Sequence, residues 1–107
     1  MPKIVHPKDP AWTANLEAAM DAFGNRAHNE IIRYLNGRGP VRRGDIVDSV
    51  SASEASVALH LITLEDSGVI VVDTVRGQRH GRAPRYSVDD QRVKELLEGL
   101  RDYLLNR

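Results

Sequence analysis

Basic side chains are concentrated in one short segment of this sequence. Residues 76–86 read RGQRHGRAPRY and contain four arginines, one histidine and no acidic residue. The whole chain has 15 Lys and Arg against 15 Asp and Glu, so its formal net charge is zero. A guanidinium group is permanently charged and offers several donors to phosphate oxygens. The segment therefore predicts contact with a polyanion through Arg76, Arg79, His80, Arg82 and Arg85.

Ser56 and His60 are four residues apart, a spacing that would place them on one face of a helix. Such a pair could belong to a nucleophilic site, but catalysis also needs a group that orients the base and an oxyanion site. The sequence supplies neither and has no cysteine. Its four histidines lie in four separate segments. We therefore predict that the chain is not an enzyme and holds no metal or cofactor.

The spacing of apolar residues predicts five helices. The first would have Asp9 as its N-cap and Pro10 in its first turn, and would end at Gly24. The second is RAHNEIIRYLN, which Gly37 would end, and the third is a short helix within VRRGDIVDSV.

The fourth and fifth predicted helices each follow a capping-box pattern. Ser51 or Ser53 would cap EASVALHLITLEDSG, and Gly68 would end it in a left-handed conformation. Residues 87–90, with the sequence SVDD, would open the last helix, DDQRVKELLEGLRDYLLNR.

Two short strands are predicted on either side of the arginine segment. VIVVDTV is rich in β-branched residues and RYSV is a second candidate, so the two would form a β-hairpin with a long tip. Two short helices joined by a tight turn and followed by such a hairpin predict a winged helix-turn-helix. The fold class is then mainly α with a β-hairpin wing, in the order α-α-α-α-β-β-α. We expect a flexible arm over residues 1–8 and a single domain over residues 9–107.

This arrangement suits duplex DNA, because a helix fits the major groove and a hairpin tip can reach the neighbouring phosphates. The fourth helix would contact bases with the face that points away from its buried residues Val57, Leu61 and Leu64. Arg42 and Arg43, at the start of the third helix, would hold a phosphate. The residues expected to contact bases are Ser53, Ser56, His60 and Thr63.

Residues 23–86 resemble the ArsR-type winged-helix repressors, with the MarR and PadR types as near alternatives. The resemblance is carried by AFGNRAHNEIIRYL, GDIVDSVSASEASVALHLITLEDSGVI and GRAPRYSV. Its most specific part is the pattern formed by His60, Leu61, Leu64, Gly68, Val69 and Ile70. The resemblance implies a bacterial-type repressor of transcription. Metal-binding members of that family use cysteines, or histidine and acidic pairs on the last helix, which this chain lacks, so metal sensing is not implied.

The first and last helices have wide apolar faces that a second copy of the chain could cover. The predicted interface residues are Trp12, Leu16, Met20, Leu96, Leu100 and Tyr103. Closed dimers are the commonest oligomers, and a dimer would meet a palindromic operator with half-sites ~34 Å apart. In the alternative, the chain is a monomer in which these two helices pack on each other and on the core.

A second function class stays open. Glu54, Ala58 and Leu59 make the fourth helix less basic than a DNA reader requires, which is compatible with a winged-helix adaptor that binds protein and has little affinity for DNA. The sequence predicts a cytoplasmic location without membrane association. Its N-terminus lacks the apolar core of a secretory signal, and no stretch approaches the ~20 apolar residues of a membrane helix.

Overall fold

The structure is a computed structural model that describes residues 8–79 and 81–107. His80 and nearly all of the predicted flexible arm lie outside the described residues. The described part contains five helices and three short strands. In chain order they are α1 Ala14–Phe23, α2 Arg26–Leu35, β1 Val41–Arg42, α3 Arg43–Ser49, α4 Glu54–Asp66, β2 Ile70–Val72, β3 Arg85–Val88 and α5 Asp90–Leu104.

The predicted fold class is confirmed, with the addition of one strand. β1 lies just before the third helix, where the sequence predicts no strand, and it pairs with β3 through Val41–Tyr86 and Arg42–Arg85. β2 and β3 form the predicted hairpin, so the antiparallel sheet has the order β1-β3-β2. A strand of two residues carries no periodicity of its own, and it exists here because β3 supplies its hydrogen-bonding partners.

Two predicted helix starts are wrong by a few residues. α1 is capped by Thr13, whose side chain accepts from the backbone N–H of Leu16, whereas Asp9 accepts from the N–H of Ala11 in a turn ahead of the helix. α5 is capped by Asp89 rather than by Ser87, which lies in β3. In both places a polar residue closer to the apolar stripe takes the capping position.

The boundaries of α4 follow the sequence closely. The Ser53 hydroxyl accepts from the N–H of Ser56 at 3.2 Å, which makes Ser53 the N-cap and leaves Ser51 outside the helix. At the other end Gly68 has φ +83°, and the N–H groups of Gly68 and Val69 bond to the carbonyls of Glu65 and Leu64. This left-handed ending turns the chain directly from α4 into β2.

The hydrophobic core lies between α1, α2, α4, α5 and the inner face of the sheet. Fully buried aliphatic side chains dominate it, among them Ile31, Leu35, Ile46, Val57, Leu61, Leu64, Ile70 and Leu96. Tyr86 of β3 is the buried aromatic residue of this core. Because α4 and β3 both contribute to the same core, α4 and the hairpin are held in a fixed relation to each other.

Candidate nucleic-acid interface

The outward side of α4 is apolar. Val57, Leu61 and Leu64 point into the core, as expected. On the opposite side the side chains of Leu59 and Ile62 are 66 % and 45 % exposed. The expectation that Ser56 and His60 form the outermost face is therefore wrong, because they lie about a quarter turn away from Leu59 around the helix axis.

Ser56, His60 and Thr63 share the flank of α4 that faces the N-terminal helices. The His60 ring packs edge-on against the buried His28 of α2, with His28 Nε2 and His60 Nδ1 3.0 Å apart. Burial lowers the pKa of His28, and the neighbouring His60 lowers it further. Thr63 donates its hydroxyl to the Leu59 carbonyl. His60 and Thr63 are thus engaged within the fold, whereas Ser53 is exposed at the start of the helix.

Two of the wing arginines bind carboxylates of α4. Arg79 forms a two-point contact with Glu65, with Nη2–Oε2 at 2.7 Å and Nη1–Oε1 at 3.2 Å. Arg76 donates to Glu65 Oε1 at 2.8 Å and forms an ion pair with Asp66, with Nη1–Oδ1 at 3.0 Å. Hydrogen bonds from Arg79, and then from Arg76, lower the pKa of Glu65 despite partial desolvation. These arginines therefore join the wing to the last turn of α4.

The other wing arginines are more accessible. Arg85 lies 3.7 Å from Asp73 at the base of the hairpin, and its backbone N–H also donates to that carboxylate. Arg82 is exposed, and within residues 8–79 and 81–107 it forms no ion pair. Gly77 and Gly81, on either side of the tip, both have positive φ, a conformation that glycine adopts readily in tight bends.

The start of α3 brings two further arginines to the same region. Arg42 in β1 lies directly opposite Arg85 in β3, so both side chains project from the face of the sheet that faces away from Val41 and Tyr86. Arg43, the first residue of α3, is 3.9 Å from Glu54, and both side chains are largely exposed. The pair predicted from the sequence therefore lies beside the wing base.

A cleft of about 470 Å³ separates α4 from the wing. Its lining contains Arg42, Arg43, Arg79 and Arg82 on one side and Ala58 and Ile62 of α4 on the other. Two carboxylates of α4 also line it: Glu54, which lies near Arg43, and Glu65, which pairs with Arg79. Ser56 and His60 do not line this cleft, because they lie on the other flank of α4. The structure thus brings the wing and the helix start together, whereas none of the four predicted base-contact residues is among the described residues that line the cleft.

The predicted dimer residues divide into two groups. Leu16 and Leu96 are buried within the single chain, so the expectation that they are open to a partner is wrong. Trp12 and Tyr103 pack edge-on at 5.3 Å, and the Tyr103 hydroxyl donates to Asp9. α1 and α5 therefore pack on each other, as in the alternative of a monomer.

Other apolar residues of α1 and α5 remain open. Met20 is exposed and Leu100 is half-buried. Leu97 and Leu104, which were not predicted, are 50 % and 69 % exposed.

Solved structures that share this fold include two ArsR-type regulators of transcription and also a mutant of TubR, a type III plasmid segregation protein. An ArsR-like transcriptional regulator from Rhodococcus sp. RHA1 matches with a TM-score of 0.67 and 22 % identity, over 87 % of this chain and 82 % of its own. A second ArsR family transcriptional regulator matches with a TM-score of 0.65 and 19 % identity, over 84 % of this chain and 92 % of its own. The chain has the winged-helix fold of ArsR-type regulators. BpsR of Bordetella bronchiseptica, whose DNA binding is regulated by 6-hydroxynicotinic acid, matches this winged-helix protein with a TM-score of 0.54 and 13 % identity. The match covers 90 % of this chain and 72 % of BpsR.

Sequence comparison gives no comparable match for this winged-helix protein: no protein-family model matches it, and no curated protein does so significantly. None of its helices within the described residues is long and apolar enough to cross a membrane.

Sequence reasoning missed the role of Glu65 and Asp66. These acids stand 10 to 14 residues before Arg76 and Arg79, across the turn at Gly68 and strand β2. The positive φ expected at Gly68 was the available signal, because a sharp reversal there returns the chain toward the end of α4. The exposure of Ile62 was also missed, since its apolar character favours burial.

Proposed function

We propose that this winged-helix protein is a homodimeric, sequence-specific DNA-binding regulator that represses transcription. The observation that carries the proposal is the cleft beside α4, where arginines from α3 and from the wing meet. A groove-sized helix flanked by cations on one side is suited to a duplex, whose phosphates border the groove that the helix enters. The regulators that share the fold, BpsR among them, support this assignment.

Phosphate contacts are assigned to the arginines of this region that, within the described residues, have no carboxylate oxygen closer than 3.7 Å, namely Arg42, Arg43, Arg82 and Arg85. Arg42 and Arg85 stand opposite each other across two strands, where like charges oppose pairing. A phosphate oxygen between them would relieve that repulsion. Arg43 would reach the adjacent phosphate from the first turn of α3. His80, at the tip, is retained as a wing contact on the strength of the sequence.

Base contacts are assigned to the N-terminal half of α4. Ser53 and Ser56 keep the role predicted from the sequence, and their hydroxyls lie 3.1 Å apart at the start of the helix. Leu59 and Ile62 join them, because exposed apolar side chains can contact the methyl groups of thymine in the major groove. His60 and Thr63 would take part only if their present contacts with His28 and Leu59 were exchanged for contacts with DNA.

The proposed dimer uses the part of the α1–α5 surface that the single chain leaves open. Leu97, Leu100 and Leu104 are spaced three and four residues apart along α5, the pattern of a helix seam. Met20 of α1 is also exposed. Two copies related by a two-fold axis would present two α4 helices to the half-sites of a palindromic operator.

Selection of bound duplexes from a random library tests the proposal. We expect enrichment of an inverted repeat with half-sites about one helical turn apart. The double variant Arg42→Gln and Arg82→Gln should weaken binding to the selected duplex, whereas Lys94→Gln on α5 serves as a matched control that removes one exposed positive charge. No enrichment at low salt, or binding that the double variant leaves unchanged, would contradict the assignment.

A protein-binding adaptor is the second candidate, and the exposed Leu59 and Ile62 favour it. Apolar side chains on the outward face of a helix are common anchors for a protein partner. Leu59→Arg discriminates between the two functions. In the adaptor it abolishes capture of the partner and raises DNA affinity by adding a charge, whereas in the DNA reader it changes which duplexes are selected. Heparin chromatography gives a second test, because an adaptor of zero net charge should elute early.

A further inference from the structure

Glu65 is the common acceptor for two arginines of the wing. Arg79 uses both terminal nitrogens on the Glu65 carboxylate, and its Nε donates to the Thr74 carbonyl at 2.9 Å. Arg76 completes the group with one hydrogen bond to Glu65 and an ion pair to Asp66. We call Glu65, Asp66, Arg76 and Arg79 the latch. Each of its bonds joins a residue of the wing either to α4 or to the wing backbone.

Arg79 is poorly placed to bind a phosphate as well. Its side chain is only 21 % exposed, and its three nitrogens already donate to protein oxygens. A two-point guanidinium–carboxylate contact has the same geometry as a two-point contact with phosphate, so the two compete for the same donors. Arg82, three residues further on, is exposed and forms no ion pair within the described residues, although both arginines line the cleft.

The latch also sets the distance between wing and helix. Glu65 lies in the last turn of α4, whereas Thr74 is near the beginning of the wing loop and Arg79 is near its middle. The loop between β2 and β3 has few buried residues of its own. Polar contacts with α4 therefore fix the direction in which this loop leaves the sheet.

We infer that Glu65 is a specificity-determining and positioning residue for DNA recognition: it withholds Arg76 and Arg79 from the phosphates and fixes the wing against α4. The inference rests on the proposed function. Arginine–phosphate contacts strengthen binding to every sequence alike, whereas a fixed wing favours only those duplexes that match its position. Glu65 keeps two arginines from contacting phosphate and also holds the wing in a fixed position. It should therefore raise the ratio of specific to non-specific affinity.

The test measures duplex affinity against salt concentration for the full chain and three variants, with the selected duplex and a random 30-base-pair duplex as probes. Glu65→Gln removes the charge of the latch at nearly constant shape, and Arg79→Gln removes its main cation. Arg82→Gln is the matched control, because it removes an arginine that lines the same cleft without belonging to the latch.

Three results are expected. Glu65→Gln steepens the salt dependence by about one for each arginine released, strengthens binding to the random duplex and lowers the ratio of specific to random affinity. Arg79→Gln leaves the slope unchanged but weakens binding to the selected duplex, whereas Arg82→Gln reduces the slope by about one. When Arg79→Gln is already present, adding Glu65→Gln steepens the salt dependence only by the contribution of Arg76, because Arg76 is then the one arginine that is released.

Two results would overturn the inference. In the first, Arg79→Gln reduces the slope as much as Arg82→Gln does, which would mean that DNA displaces Glu65 and that Arg79 contacts phosphate. In the second, Glu65→Gln leaves both the slope and the specificity ratio unchanged.

A double-mutant cycle for unfolding separates this inference from the proposed function. If Glu65 and Arg79 are thermodynamically coupled but no variant binds duplex, the proposed function and the role of Glu65 in recognition are both rejected. The latch then remains as a structural contact. Duplex binding without that coupling rejects the latch alone.

Discussion

The imidazole rings of His28 and His60 meet edge-on, with Nε2 of the first and Nδ1 of the second 3.0 Å apart. His28 is buried in α2, and His60 lies on the half-exposed flank of α4. A hydrogen bond between two imidazoles needs one nitrogen that donates and one that accepts. The contact between α2 and α4 therefore requires that at least one of the two rings be neutral.

Acidification should destabilise the fold through His28. Its pKa in the folded state is lowered, first by burial and then by His60, so the unfolded chain binds more protons once the pH falls below about 6.5. The stabilisation is complete above that value and is lost as the pH falls toward the folded pKa. Urea unfolding at pH 7.5 and pH 5.5 measures this loss. His28→Gln, which cannot titrate, should show a smaller difference between the two pH values, and an equal difference would exclude His28 as its source.

The paired arginines at the base of the wing should each contribute to phosphate binding. Arg42→Gln and Arg85→Gln are each expected to reduce the slope of log affinity against log salt by about one, because each removes one contact that releases a counterion. Fluorescence anisotropy with a labelled duplex at four or more salt concentrations gives the slope. Lys94→Gln should leave it unchanged, since Lys94 pairs with Asp90 on α5. Equal slopes for the wild type and both arginine variants would argue against a phosphate site between Arg42 and Arg85.

Gly68→Ala should destabilise the protein by roughly 1–2 kcal/mol. At φ +83° an L side chain is strained, and its Cβ would lie 3.1 Å from Nε of Arg92, which donates to the Ser67 carbonyl. Gly99→Ala in the middle of α5 is the matched control, because its Cβ would meet open space. We expect it to stabilise by about 0.5–1 kcal/mol, since alanine favours the helix. Thermal or urea unfolding compares the two, and effects of the same sign would contradict this account.

Charge on the open seam of α5 should dissociate the proposed dimer. Leu97→Glu combined with Leu104→Glu places two carboxylates where apolar side chains are 50 % and 69 % exposed in the single chain, so folding of the protomer should be retained. Sedimentation velocity is expected to report a dimer for the wild type and a monomer for the variant. Leu59→Glu, on the similarly exposed outward face of α4, should leave the mass unchanged. A wild-type monomer at high concentration would remove the dimer from the proposed function.

Local chemistry in the sequence was sufficient for most of the fold. The Ser53 cap and the Gly68 ending depend on side chains and φ angles within a few residues. The Gly68 ending was predicted correctly, and Ser53 was one of the two caps that the sequence offered. β1 was not predicted, because its two residues are ordered only by a strand more than forty residues later. The start of α1 was misplaced since Asp9 and Thr13 are both competent caps and the packing of the helix decides between them.

The candidate site was harder to predict because its charges are partnered through tertiary contacts. The arginine cluster is real, but Glu65 and Asp66 bind two of its members across the turn at Gly68. The sequence predicts that Leu16 and Leu96 face a partner, because the apolar faces of the first and last helices are wide for a small domain. Both residues are buried within one chain instead, because α1 and α5 pack on each other.

The pairing of β1 with β3 bears on how proteins of this kind can diverge. Arg42, at the entry to α3, pairs across the two strands with Arg85, at the root of the hairpin. An insertion or deletion at either position would therefore shift both residues at once. Residues 81–83 are exposed and lie outside the ladder, so changes of length or composition there leave this pairing intact. Variation in length and composition can therefore accumulate at the apex, whereas a change of register at the root of the hairpin also displaces the entry to α3.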